Sequence, residues 1–150
     1  MKLVMRCLFG MTILINSLAI GGEGTLPFGA YAMSGQVFDN GTTEQLLLNF
    51  EPRNFTQPLD AREASNCPSN MEYYDFGGTI TVAGVEYTVT TICATSVNLG
   101  DRIVIGEAGT SRIVLDGLLS KASQGYQLFE GTAAIINGRA ARELKFSVSE

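Results

Sequence analysis

The chain has no histidine and no tryptophan among its 150 residues, and only four prolines. Without histidine it holds no Ser–His–Asp triad, no Cys–His dyad, no His-ligated zinc and no haem on a proximal His. Basic groups are scarce as well: ten Lys and Arg stand against fifteen Asp and Glu, a net charge of −5. Lys2 and Arg6 lie in a segment expected to be removed, which takes the remainder to −7. That balance argues against a nucleic-acid partner, whose affinity is built on basic groups neutralising phosphates. Charged residues make up 17% against 45% hydrophobic ones, too apolar a mixture for a disordered chain. The length suits one domain.

What is present begins with an export signal. Lys2 and Arg6 give a positive start, Cys7 to Ile15 is an apolar run broken only by Gly10 and Thr12, and small residues follow. Ser17-Leu18-Ala19 sets small side chains at the two critical positions for a cut after Ala19; Ala30-Tyr31-Ala32 is the competing match for a cut after Ala32. Residues 1–22 therefore read as a signal peptide, with cleavage as late as residue 32 on the alternative, and 33–150 as a single all-β domain. The apolar run falls short of the roughly 20 residues a bilayer requires, so no stable membrane insertion is expected. The expected destination is secreted or periplasmic.

Cysteine usage agrees. Cys7 leaves with the signal, and Cys67 and Cys93 remain. An even number in an exported chain points to a disulfide between them. No CxxC spacing suggests a redox or metal-binding pair instead.

Past residue 33 nearly every apolar segment alternates with period two or is β-branched, and turn residues separate the segments. Ser34 to Phe38 and Glu44 to Phe50 are expected strands, the second with Leu46, Leu48 and Phe50 on one face. Residues 51–71, with Pro52, Pro58, Arg53, Asp60, Arg62 and Glu63, form a long connection, with one helical turn expected over Leu59 to Ala64. Gly77 to Val82 and Val85 to Cys93 form a hairpin at Ala83-Gly84. There Val85, Tyr87, Val89, Thr91 and Cys93 share the apolar face, which places the disulfide over the core. Arg102 to Gly106 and Ser111 to Leu119 form the next, through Glu107 to Thr110. Their runs Ile103-Val104-Ile105 and Ile113-Val114-Leu115 are apolar on both faces, as in central strands. Tyr126 to Ile136 and Ala140 to Val148 form the last, turning at Asn137-Gly138. About eight strands in sequential hairpins give an all-β fold, either a small antiparallel barrel or a two-sheet sandwich. Neighbours that pair in chain order favour the barrel, and its interior is expected to be filled by its own Leu, Ile, Val and Phe.

Carboxylates are the catalytic hardware left by this composition. Glu72, Asp75, Glu107, Asp116 and Glu130 are the candidates; Asp116 is expected to point outward, toward water or Arg102. Ser120-Lys121 with Ser123 is a weak Ser–Lys motif. Asp39-Asn40-Gly41-Thr42-Thr43-Glu44 offers calcium several oxygens, yet Asp-Asn-Gly is also ordinary turn chemistry. Two N-glycosylation acceptors occur, at Asn40 and Asn54. The aromatics Tyr73, Tyr74 and Phe76, with Phe55 in the preceding loop, are the candidate ligand-binding residues, because an aromatic face suits a sugar ring. No catalytic residue, metal or cofactor is assigned.

The expectation is an exported, non-enzymatic β domain that binds a carbohydrate, a cell-envelope component or a small apolar ligand through residues 51–76. The alternatives are a structural or assembly subunit that pairs strands with a neighbour, including as a homo-oligomer, and a carboxylate-based hydrolase.

Overall fold

The structure is a computed structural model that describes residues 32–52, 67–74, 76–96 and 99–150. Nine strands run in the order β1 (Ala32–Asp39), β2 (Thr42–Pro52), β3 (Glu72–Tyr74), β4 (Phe76–Val82), β5 (Val85–Ala94), β6 (Gly100–Ala108), β7 (Ser111–Lys121), β8 (Gln127–Asn137) and β9 (Ala140–Ser149). All pairings are antiparallel, and β5 bonds to β6 while β1 bonds to β9. Eight strands thereby close into a barrel in chain order, the first of the two architectures expected. The short β3 was not foreseen. It runs in line with β4 along the second half of β5. The expected signal peptide and the helical turn at Leu59 to Ala64 lie outside the described residues.

Tight turns close the hairpins at one end. Asn40-Gly41 and Ala83-Gly84 have positive φ at both central residues, 43° and 94°, then 49° and 80°, the type I′ signature that follows strand twist. The other two hairpins have positive φ only at the first position, Gly109 at 59° and Gly138 at 58°, as in type II′ turns. The last turn is thus Gly138-Arg139 and not Asn137-Gly138: Asn137 is still in the ladder, opposite Ala140. One glycine supplies the first central position, and the register slides by one residue.

Alternation decides what is inside. Met33 and Val37, Leu46, Leu48 and Phe50, Ile80 and Val82, Ile113 and Leu115, and Leu144, Phe146 and Val148 face the axis as one continuous core. Leu48, Ile80, Val104, Ile113, Leu115 and Phe129 have no accessible surface at all, so no water-sized space adjoins them. The Phe129 and Phe146 rings meet edge-on, 4.8 Å between centroids. An eight-stranded barrel is just wide enough to be filled in this way. Charged side chains such as Glu130, Glu143 and Lys145 stand on the outer wall, the inverse of a barrel that faces lipid. The second faces of β6 and β7 are covered only in part: Ile103, Ile105 and Val114 are of intermediate burial on that wall.

Closure requires sharp bending, and glycines supply it. At Gly78, φ is 125° and a Cβ would fall on the Asn49 carbonyl of β2. Gly117 and Gly131 face each other across β7 and β8, each without room for a Cβ against the other strand's backbone. These are the kinks by which a small barrel turns its corners. Gly78→Ala should therefore lower stability by about 2–4 kcal/mol. Gly84→Ala, at a turn with open space around it, should cost about 1 kcal/mol. Urea midpoints of the two variants check the difference; equal shifts would contradict the close approach at Gly78.

Candidate functional site

The two ends of the barrel are unlike. Every connection at the hairpin end has two residues, whereas the strand ends at the opposite end are separated in sequence by the longer stretches 53–71, 95–99 and 122–126. This is also where the disulfide and the one fully buried charged side chain among the described residues are found.

Cys67 and Cys93 are bonded, with Cα atoms 5.6 Å apart and a separation of 26 in sequence. Cys93 does not face the core as its alternation with Val89 suggests. A β-bulge between Val89 and Thr91 inserts one residue in β5, and a one-residue insertion exchanges the faces of everything after it. Ile92 turns inward opposite Val104, and Cys93 turns outward opposite Ile103. The bridge therefore fastens the preceding segment to the outside of the wall. Tyr73, paired with Cys93, is on that same outer side and is buried there together with Thr91.

The bulge and the strand period divide the candidate aromatics. Tyr73 lies on the outer face beneath the disulfide region. Tyr74, its neighbour in β3, points the other way and packs against the edge of the core. Phe76 is a core residue with 2% exposure, and Phe55 lies outside the described residues. The three described candidates do not form one stacking surface; of Tyr73, Tyr74 and Phe76, Tyr74 alone keeps a partly open ring, at the mouth of the barrel.

Arg102 is the residue that alternation with Val104 and Gly106 sends inside. It has no accessible surface, which corrects the expectation that it meets Asp116 on the outer wall. Its partners in register are Ala94 and Gly117, small residues that leave volume for its long stem. Nη1 donates to the Asp101 carbonyl oxygen at 2.9 Å. Burial lowers the guanidinium pKa, while Tyr74 and Asp101 act to raise it. Tyr74 in turn donates through its hydroxyl to Glu72 Oε2 at 3.0 Å. Burial raises the phenol above its ordinary value, the bond to Glu72 and the Glu72 charge raise it further, and Arg102 opposes them. Arg102, Tyr74, Glu72 and Asp101 thus make a polar group set into the loop-bearing mouth.

The candidate acids do not assemble into a catalytic pair. Asp75 lies outside the described residues. Glu72 is exposed and carries the Tyr74 bond; Glu107 is exposed in an ion pair with Arg112 at 2.9 Å. Asp116 and Glu130 are diagonal neighbours on the outer wall, opposite Thr132 and Leu118, and both are exposed. A hydrolytic carboxyl pair flanks a substrate cleft in unlike surroundings, whereas both of these carboxyls face open water. Ser120 and Lys121 are consecutive in β7 and so point to opposite faces. At the proposed calcium turn Asp39 Oδ2 accepts from Arg142 Nη2 at 2.7 Å. Among the described residues no three His, Cys, Asp or Glu side chains gather as a metal site. Asn40 is exposed at its turn.

Two outcomes follow from this mouth. Replacing Cys67 and Cys93 by Ser should lower stability by about 3 kcal/mol, read from urea midpoints, because the unfolded chain regains the freedom of the closed loop. An unchanged midpoint would show that the bridge constrains nothing. The raised Tyr74 pKa means that the unfolded chain ionises first on the alkaline side. Stability should therefore fall as pH rises past about 10, and Tyr74→Phe should make that fall shallower; an identical alkaline profile would contradict it. No protein-family profile, curated protein or solved structure matches the chain.

Proposed function

We propose that this chain is an exported binding domain with no chemistry of its own, which takes a carbohydrate or another cell-envelope component at the loop-bearing end. The asymmetry of the barrel carries this reading. One end is shut by two-residue turns, while the strands that the longer connections join end at the other, where the Arg102–Tyr74–Glu72 group lies. Long connections on a rigid β scaffold are where such domains carry their contacts. The disulfide supports export, since such bonds persist in oxidising compartments.

The filled interior weighs against a small apolar ligand inside the barrel, which would have to displace side chains that have no free surface around them. Strand donation to a neighbour has less support too: β1 is hydrogen-bonded to β2 on one edge and to β9 on the other, so it offers no open edge. Self-association through the partly buried Ile103, Ile105 and Val114 with the exposed Leu118 is the second reading, favoured by that apolar stripe on the outer wall.

Light scattering on the mature protein across a concentration series separates the two. A constant monomer mass is expected, with ligand-induced NMR shifts at Tyr74 and its neighbours when soluble envelope glycans are titrated. Tyr74→Ala should abolish them. A mass that grows with concentration, and returns to the monomer value in Leu118→Lys, would replace the binding reading with the assembly one.

A further inference from the structure

Phe38 is out of place on a wall of this kind. Its ring is 42% exposed on the outer face of β1, paired in register with Thr43 of β2 and Lys145 of β9. Continuing outward, Lys145 faces Thr132 of β8. The next rung along the same wall joins Gln45, Gln36, Ser147 and Glu130. One aromatic ring is thus surrounded by amides, hydroxyls and a few charges, with no second large apolar side chain beside it in these two rungs.

The wall is hollowed around this ring. Three adjoining depressions, of about 360, 520 and 600 Å³, all have Phe38 in their lining. One extends along β1 to Ser34, another reaches the Asn40 turn, and the third crosses β9 to β8. Gly35 and Gly131 contribute only backbone to the lining. Both glycines lie in core-facing rungs, Gly35 opposite Val148 and Gly131 opposite Phe146, so neither would carry a side chain on the outer wall.

We propose that this face binds an uncharged saccharide chain, with one sugar ring stacked on Phe38 and its neighbours lying in the depressions on either side. A pyranose presents an apolar C–H face and a rim of hydroxyls, and Phe38 with its surround offers a matching apolar disc and polar border. Strands stand about 4.8 Å apart and same-face residues along a strand about 6.7 Å apart. The amides of Gln36 and Gln45 and the Lys145 ammonium are therefore within side-chain reach of the rim of a ring seated on Phe38. Charge selects against ionic polymers. Glu44 lies 3.9 Å from Arg142, Glu130 accepts from Ser147 Oγ at 2.8 Å, and Lys145 is the single cation in the Phe38 rung. The face has neither the basic excess a polyanion needs nor the cluster of apolar and aromatic anchors of a protein interface. Its open, shallow form fits an extended chain held loosely along several units. The site is separate from the loop-bearing mouth and does not depend on what binds there.

The test uses the mature protein with cello-, chito-, xylo- and manno-hexaose, followed by isothermal titration and NMR shift mapping. At least one of the four is expected to bind with shifts centred on Phe38, Gln36 and Ser147. Phe38→Ala should weaken it tenfold or more, and Gln36→Ala by less. Phe38→Tyr should retain binding, and Tyr74→Ala at the other end should leave it unchanged. Because Phe38 is on the surface, its replacement should not alter the urea midpoint. Absence of binding to all four, affinity that survives Phe38→Ala, or affinity that collapses with added salt would overturn the proposal. Loss of binding in Tyr74→Ala alone would overturn it too, and would instead place saccharide recognition at the mouth.

Discussion

The ladder between β1 and β9 joins residues 34–38 to residues 145–149, the two ends of the described chain. Without it the strands would form an open, curled sheet with two long edges and an apolar face exposed to water. With it each of the eight barrel strands has a hydrogen-bonded neighbour on both sides, and the apolar face has no exit but the interior. The diameter that eight strands impose then limits what the inward side chains can be. The answer visible here is dense packing of Leu, Ile, Val and Phe, relieved by glycines at the corners. Function is in consequence displaced to the surfaces and ends of the barrel.

Arg102 shows how such a core accommodates a charge. A guanidinium among aliphatic side chains is costly to desolvate, and its position at the mouth of the barrel lowers that cost. The residue sits near the mouth, flanked in register by Ala94 and Gly117, with its head directed to the Asp101 carbonyl. Tyr74 and Glu72 extend the polar group toward water. The disulfide lies behind this group on the outer wall, so a polar cluster inside the mouth and a covalent anchor outside it flank the same stretch of β5.

Much of the architecture was legible because it follows from period and turn chemistry. Leu46, Leu48 and Phe50 announce an inward face, and Asn40-Gly41 and Ala83-Gly84 announce hairpins. What failed did so at single-residue irregularities. Nothing about Thr90 marks it as a bulge, yet that one residue reverses Cys93 and moves the disulfide from inside to outside. At the last hairpin, Asn-Gly chemistry suggests a type I′ turn, but Gly138 serves as the first residue of a type II′ turn. Arg102 was hard to place because Ile103-Val104-Ile105 is apolar on both faces, which hides the parity. The separation of Tyr73 from Tyr74 was there to be read, since consecutive residues in a strand cannot share a face. Phe38 was missed because an aromatic at the end of an apolar strand looks like core. Only the register, with Val37 turned inward instead, shows that it faces water.

A closed ring of antiparallel neighbours has no first member. Ser34 lies opposite Ser149, so the start of β1 and the end of β9 meet at the same rim, and a short linker there would join them without crossing the barrel. Cutting instead at an exposed hairpin such as Gly109-Thr110 would leave every rung of the remaining ladders in place. The fold is thus specified by the cyclic order of its strands, and the position of its termini is a free choice within that order.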